Sequence, residues 1–196
     1  SVSLNPSSAP TLVNNCNGDE ACTAAIDNTI KNGGCVGDRA CYLANTNIIG
    51  NGGCVGNGAC YGANNSTIGD GGCVGVFACE GASTNTIGDG GCVTLTGFYA
   101  CYEAFTNIIG NGGCNGNGAC DSANTNTIGD GGCDGFQVCY GASTNTIGDG
   151  GCVGYGACYR ANNSTIGGGG CNGVLACRDA IDNIIGANSC NCDGCC

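Results

Sequence analysis

Apolar and polar positions alternate in a short run that recurs along the whole chain and ends in Asn-x-Ile-Gly. Side chains alternate along a strand, so the isoleucine and the polar residue two places before it are expected to face inward together. Asparagine side-chain amides stacked in successive repeats would form hydrogen bonds to one another, as a ladder. The inward isoleucines are Ile30, Ile49, Ile68, Ile87, Ile109, Ile128, Ile147, Ile166 and Ile185, and the ladder residues are Asn28, Asn47, Ser66, Asn85, Asn107, Asn126, Asn145, Ser164 and Asn183.

The run belongs to a 19-residue repeat that is marked by two cysteine columns. One longer repeat carries three extra residues within 93–98, which we expect to bulge outward as a loop. The first column is Cys16, Cys35, Cys54, Cys73, Cys92, Cys114, Cys133, Cys152, Cys171 and Cys190. The second column is Cys22, Cys41, Cys60, Cys79, Cys101, Cys120, Cys139, Cys158, Cys177 and Cys196.

Glycine corners and β-branched residues both oppose helix formation, so each repeat is expected to form short strands between turns. One repeat cannot bury its own apolar side, whereas stacked repeats bury a continuous column. The sequence therefore predicts an all-β fold, a disulfide-stapled parallel β-solenoid (β-helix) of about ten 19-residue turns. It spans residues 16–189, with an extended arm or cap at 1–15 and a cysteine-rich cap at 190–196.

The chain holds 22 cysteines among 196 residues, which is typical of a disulfide scaffold from an oxidising compartment. We therefore expect a secreted, extracellular protein. A bridge within each turn, such as Cys35 to Cys41, is favoured over a bridge between turns, which spacing also permits. Cys192 and Cys195 remain as an extra pair at the C-terminal end.

Charge and composition exclude several functions. Four Lys+Arg stand against fifteen Asp+Glu, for a net charge of −11, so nucleic acid and anionic membrane are not expected partners. No apolar run is long enough for membrane insertion. The chain has no histidine, and general acid–base or triad chemistry needs a base. We expect no enzyme activity and no cofactor.

Four sets of residues are candidates for surface function. Threonines flanking the ladder form a candidate binding face: Thr84, Thr86, Thr125, Thr127, Thr144 and Thr146. Tyrosines after the second cysteine form a candidate aromatic strip for stacking or for a sugar: Tyr42, Tyr61, Tyr102, Tyr140 and Tyr159. Sequons begin at Asn64, Asn65, Asn162 and Asn163. Asp70, Asp89, Asp130 and Asp149 share one corner, where turn chemistry is favoured over weak Ca²⁺ binding.

The spacing of C-x-G-x-x-A-C with N-x-I-G-x-G-G resembles that of cysteine-rich extracellular repeat proteins from algae, especially stramenopiles. This resemblance covers roughly residues 16–190 and implies a secreted β-solenoid. The Thr-x-Thr turns are separately similar to those of hyperactive insect antifreeze solenoids, although Ile48, Asn65, Ile108 and Asn163 depart from that pattern. The second resemblance implies an ice-binding face.

Three functional hypotheses follow. The first is a structural subunit of an extracellular filament, wall or surface appendage, assembled by self-association. The second is an ice-binding protein that uses the threonine face, and the third is an adhesin that binds a polysaccharide through the tyrosine strip. For the first we predict that the segment 1–15, with Val2 and Leu4, adds as a strand to another subunit, so that deleting residues 1–12 abolishes assembly.

Overall fold

The computed structural model describes residues 15–196, and these form a parallel β-solenoid of about nine turns. We number the turns from their first cysteine: turns 1–4 begin at 16, 35, 54 and 73, turn 5 at 92, turns 6–9 at 114, 133, 152 and 171, and a partial tenth at 190. Positions within a turn are numbered 1–19 from that cysteine, and in the longer turn 5 the residues from Cys101 to Gly113 take positions 7–19. The predicted fold is confirmed, with about nine turns in place of ten.

All the strands are short. They are β1 (Cys16–Asn17), β2 (Thr29–Ile30), β3 (Cys35–Val36), β4 (Ile48–Ile49), β5 (Cys54–Val55), β6 (Thr67–Ile68), β7 (Cys73–Val76), β8 (Thr86–Ile87), β9 (Cys92–Phe98), β10 (Ile108–Ile109), β11 (Thr127–Ile128), β12 (Thr146–Ile147), β13 (Thr165–Ile166) and β14 (Ile184–Ile185). Residues 15–196 contain no helix that could cross a bilayer.

Two parallel sheets run along the axis. The larger contains nine strands, β2, β4, β6, β8 and β10 to β14, in which each isoleucine pairs with its copy in the next turn. The smaller contains five strands, β1, β3, β5, β7 and β9, and joins the first cysteine column of turns 1–5. Since the pairs stay in register, one side of the rod is a continuous sheet.

Backbone bends in the left-handed region separate these strands. Glycine takes the bend at position 18, as at Gly71 (φ 62°), where the amide of Gly72 also donates to the carbonyl of Gly69 at 3.1 Å. Position 12 bends in the same way although it carries side chains, as at Thr84 (φ 60°) and Asn65 (φ 50°). The strand interpretation of the whole Thr-x-Thr run was therefore wrong: positions 14 and 15 are in a strand, whereas position 12 forms a corner.

The predicted polar ladder runs without a break from Asn28 to Asn183. At most steps the amide oxygen of one turn accepts the backbone N–H of the next, as when Asn126 Oδ1 accepts from Asn145 N at 2.9 Å. Ser66 and Ser164 continue the chain through their hydroxyls. Asn126 Nδ2 also donates to Asn107 Oδ1 and to the carbonyl of Ala142. Every member from turn 2 to turn 8 is buried.

The remaining core is thin and consists of alanine, cysteine and isoleucine. Each cysteine of the first column bridges to the second-column cysteine of the same turn, six residues later or nine in turn 5, and Cys192 bridges to Cys195. The predicted pairing within the turn is confirmed, as is the extra C-terminal pair. Among residues 15–196 no cysteine is free, so none of them offers a thiolate.

The cysteine backbone changes direction after turn 5. In turns 2–5 the second-column amide donates to the preceding turn, as Cys60 N does to Ala40 O at 2.6 Å, and the first-column amide donates to the residue just before the preceding turn's first cysteine. In turns 6–9 the second-column amide donates to the following turn, as Cys139 N does to Ala157 O at 3.0 Å, and the first-column amide donates to the residue just before the next turn's first cysteine. These cysteines have positive φ. The amides of Cys92 and Cys114 therefore point away from each other across the boundary between turns 5 and 6.

The three-residue insertion lies in turn 5, beside that boundary. It does not form the expected loop: Cys92–Phe98 is one seven-residue strand, and its register against β7 shifts between Val74 and Val76. Leu95 on this strand is 88% exposed, so the insertion does project outward as predicted.

Replacing a ladder asparagine tests how much the polar column contributes. We expect Asn126→Ala to lower the unfolding free energy by about 1–3 kcal/mol, because it leaves the buried backbone N–H of Asn145 without its acceptor and removes one of the two donors to the Ala142 carbonyl. Thr127→Ala, one residue later on the exposed side, is the control. Thermal unfolding with all disulfides intact measures both, and equal losses would contradict a specific role for the ladder.

The corner at position 12 allows a stabilising substitution. Thr106 has φ 58°, a conformation that β-branched residues oppose and asparagine tolerates. We expect Thr106→Asn to raise the midpoint of thermal unfolding by about 1–2 °C. The same change at Thr127, which lies in a strand, should lower it. A rise at both positions would show that the backbone bend is not the cause.

Candidate functional site

The outer face of the nine-stranded sheet is an uninterrupted column of β-branched side chains at position 14. Six are threonine and three are isoleucine: Thr29, Ile48, Thr67, Thr86, Ile108, Thr127, Thr146, Thr165 and Ile184. All are exposed, whereas the isoleucine that follows each one is buried in turns 2–9. We call this column the strand face. It includes Thr86, Thr127 and Thr146 of the candidate binding face.

The other three candidate threonines, Thr84, Thr125 and Thr144, lie at position 12 on the neighbouring corner and are also exposed. Between turns 2 and 8 positions 12 and 14 carry only Thr, Asn and Ile, so this surface has no charge of its own there. The sequence analysis missed the complete strand face because it required threonine at both positions. The signal that could have found it is a β-branched residue at position 14 in all nine turns.

The four aspartates at position 17 form a second ladder. Asp70, Asp89, Asp130 and Asp149 each use Oδ1 to accept the backbone N–H of the position-17 residue in the preceding turn, at 2.7–3.0 Å. Asn111 accepts in the same way through its amide oxygen, at 2.9 Å. The positive φ of this corner is taken by the glycine that follows, as at Gly71, and not by the aspartate.

Glycine at position 16 makes room for this ladder, since a Cβ on Gly69 would lie 2.5 Å from Asp89 Oδ1. The side-chain and backbone N–H groups of Asn51 lower the pKa of Asp70 below its ordinary value of 3.8. A lowered folded-state pKa means that Asp70 stabilises the fold above the ordinary pKa and loses this contribution as the pH falls through the lowered one. The hydrogen bonds that these carboxylates accept explain their placement, and no bound metal is needed to explain it.

The tyrosine strip is divided into stacked pairs. Tyr42 stacks on Tyr61 with ring centroids 5.3 Å apart, and Tyr140 stacks on Tyr159 at the same distance. Tyr102 stands alone in the column and meets Tyr99 edge-on at 4.7 Å. Ring faces in a stack cover each other, so fewer of them are available to a sugar than a row of separate rings would offer.

Charged residues interrupt this strip at positions 8 and 9. Glu80, Glu103 and Asp121 lie in turns 4, 5 and 6. Burial, followed by the charge of Glu103, raises the pKa of Glu80, and the same two causes raise the pKa of Asp121. In turns 8 and 9 the guanidinium groups of Arg160 and Arg178 lie 5.2 and 5.4 Å from the ring centre of Tyr159.

The sequon asparagines lie next to the strand face, at positions 11 and 12 of turns 3 and 8. Asn64, Asn65, Asn162 and Asn163 are all exposed. Asn163 Nδ2 donates to Asp182 Oδ1 at 2.6 Å. The hydroxyls of Ser66 and Ser164, by contrast, are buried in the polar ladder. Glycosylation at these asparagines stays a prediction.

Substitutions at position 17 test whether the aspartates there act as hydrogen-bond acceptors or as metal ligands. We expect Asp130→Asn to leave the thermal midpoint nearly unchanged, because an amide oxygen can still accept from Asn111 N, as Asn111 itself does from Asp89 N. Asp130→Ala should lower the midpoint by about 2–4 °C. Ca²⁺ added to chelator-treated protein should change neither value. A rise with Ca²⁺ that is lost in Asp130→Asn would instead support a metal site.

Comparison with known families agrees with the repeat architecture. A family model described as a domain of unknown function (DUF7640) matches three overlapping stretches, residues 14–96, 64–145 and 122–196. No curated protein and no solved structure matches the chain. The likeness to algal repeat proteins and to insect antifreeze solenoids stays a prediction. Since the matched stretches together cover most of its length, the chain belongs to the DUF7640 family.

Proposed function

We propose that the protein is an extracellular ice-binding protein whose contact surface is the strand face. The observation that carries this proposal is the regularity of that surface: nine β-branched residues, exposed and uncharged, stand in register on one parallel sheet. Neighbouring strands of a sheet are about 4.8 Å apart, so the methyl and hydroxyl groups repeat at a fixed spacing. A periodic surface of this kind can hold water at periodic positions, which binding to a crystal of water requires.

Rigidity supports the same function. Binding through many weak contacts succeeds only if the protein loses little conformational freedom on contact. The polar ladder, the position-17 ladder and the bridge in each turn all hold the backbone beneath the strand face. β-Branched side chains add to this, since they are restricted at χ1.

The distribution of charge also favours this face. Charged groups hold their own hydration shells and would disrupt an ordered layer of water. The position-17 aspartates lie at the corner beyond position 16, which carries glycine in turns 2–9, and Arg160 and Arg178 lie on another side of the turn. Beside the strand face, at position 12, carboxylates occur only in the first and ninth turns, at Asp27 and Asp182. Strand propensity alone accounts for β-branched residues at position 14, but not for the absence of charge on an exposed surface.

An extracellular structural role is the second candidate, and the extent of the disulfide and hydrogen-bond network favours it. The segment proposed to join subunits, residues 1–15, lies outside the described residues except for Asn15. The secreted location is consistent with eleven disulfides. The polysaccharide hypothesis gains less, because the tyrosine rings stack on one another.

Inhibition of ice recrystallisation tests the proposal. The wild-type protein should inhibit recrystallisation at micromolar concentration, and Thr127→Lys combined with Thr146→Lys should reduce inhibition at least about tenfold, because two long charged side chains disrupt the centre of the face. Asn57→Lys, on an exposed position outside the strand face, is the matched control and should retain activity.

Thermal unfolding should show that the double variant and the control are equally folded. Inactive wild-type protein, or equal activity in the double variant and the control, would contradict the proposed function.

A further inference from the structure

Charge is segregated along one long side of the solenoid. Positions 8 and 9 carry the carboxylates Glu80, Glu103 and Asp121 in turns 4–6, and the cations Arg178 and Arg160 in turns 9 and 8, where Asp179 is the one carboxylate. The other two cations of the chain lie in turns 1 and 2. The same side of the rod therefore has an acidic segment and a basic segment, separated by turn 7.

The acidic segment has no cation of its own. Among residues 15–196 the ion pairs are Arg39 with Glu20 and Arg178 with Asp179, and neither involves these three carboxylates. Glu103, Arg160 and Arg178 are exposed, and Glu80 is partly so. A raised pKa at Glu80 agrees with a carboxylate that lacks a counter-charge. The acidic segment is thus available to a cationic partner.

We propose that two copies of the chain associate side by side and antiparallel through positions 8 and 9, about a two-fold axis that passes between turns 6 and 7. This axis places each position opposite the same position of the second copy, with turn 4 opposite turn 9 and turn 5 opposite turn 8. Glu80 then faces Arg178 of the second copy, and Glu103 faces Arg160. Tyr102 faces Tyr159, so an aromatic pair lies between the two ion pairs.

The residues nearest the axis also match. Turn 6 lies opposite turn 7, which places the Asp121 carboxylate opposite the Tyr140 hydroxyl, an acceptor opposite a donor. Because the interface is isologous, every pair occurs twice. The turns of both copies have the same pitch, so alignment at one turn brings the neighbouring turns into alignment as well.

The signs of the charges favour the antiparallel arrangement over a parallel one. In a parallel pair each turn would face its own copy, and the acidic segment would lie against the acidic segment. Like charges facing one another oppose association, whereas the antiparallel register places both arginines opposite glutamates. The strand face lies at position 14, outside these columns, so the inference does not depend on ice binding and can fail independently of it.

Charge reversal tests both the partner and the register. By sedimentation velocity at low ionic strength the wild-type protein should be a dimer that weakens as salt is added. Glu103→Arg alone and Arg160→Glu alone should each weaken dimerisation at least about tenfold, since each variant places like charges together twice. The double variant Glu103→Arg/Arg160→Glu should recover the dimer, because it restores opposite charges at both sites.

Asp134→Arg is the matched control, since it changes the net charge as Glu103→Arg does but lies at exposed position 2. It should remain a dimer, and circular dichroism should show every variant folded like the wild type. A wild-type protein that remains monomeric at low salt would overturn the proposal, as would single variants that dimerise normally. Monomeric single variants with a monomeric double variant would overturn the antiparallel register.

Discussion

The close stacking of one backbone turn on the next is the constraint from which the rest of this structure follows. A Cβ on Gly37 would lie 2.5 Å from the carbonyl oxygen of Gly56 in the following turn, so the stacking leaves no room for a side chain at Gly37. At other positions the same closeness gives hydrogen bonds between turns, as at Cys60 N to Ala40 O, 2.6 Å. Any residue that alters the path of one turn must therefore be matched in its neighbours.

This constraint explains why the protein depends on polar and covalent links. A 19-residue turn encloses space for alanine, cystine and isoleucine and for little else, so the apolar area per residue is small. The polar ladder uses the inside of the turn for hydrogen bonds, and no buried side-chain polar atom among the described residues lacks a partner. The bridge across each turn restricts the unfolded chain as well. Outside the turn, repetition converts each position into a column, which is how the strand face and the charged side arise.

Most of the fold could be predicted because the repeat places the same residues in the same surroundings nine times. The inward isoleucines and the polar ladder follow from spacing and side-chain chemistry, whereas spacing permits cystine bridges both within a turn and between turns. The bend at position 12 could not be predicted, because Thr84 in the left-handed region contradicts local preference and is imposed by its neighbours in adjacent turns. Likewise, the aspartates at position 17 suggest a turn or a cation, whereas Asp89 accepts a backbone amide from a residue 19 positions away. The distribution of Glu103 and Arg160 along one side becomes apparent only when the columns are aligned in three dimensions.

The reversal of the cysteine amides beside the insertion has a mechanical consequence. All the remaining pairs of adjacent turns are joined by hydrogen bonds from cysteine amides at both columns. Turns 5 and 6 are not, because Cys92 donates backward and Cys114 donates forward. Force applied along the axis would be carried by the bonds between turns, while the cystines, each closed within its own turn, would carry none of it from one turn to the next. The boundary between turns 5 and 6 is therefore where a solenoid under axial force should separate first, giving two halves that each keep their disulfides.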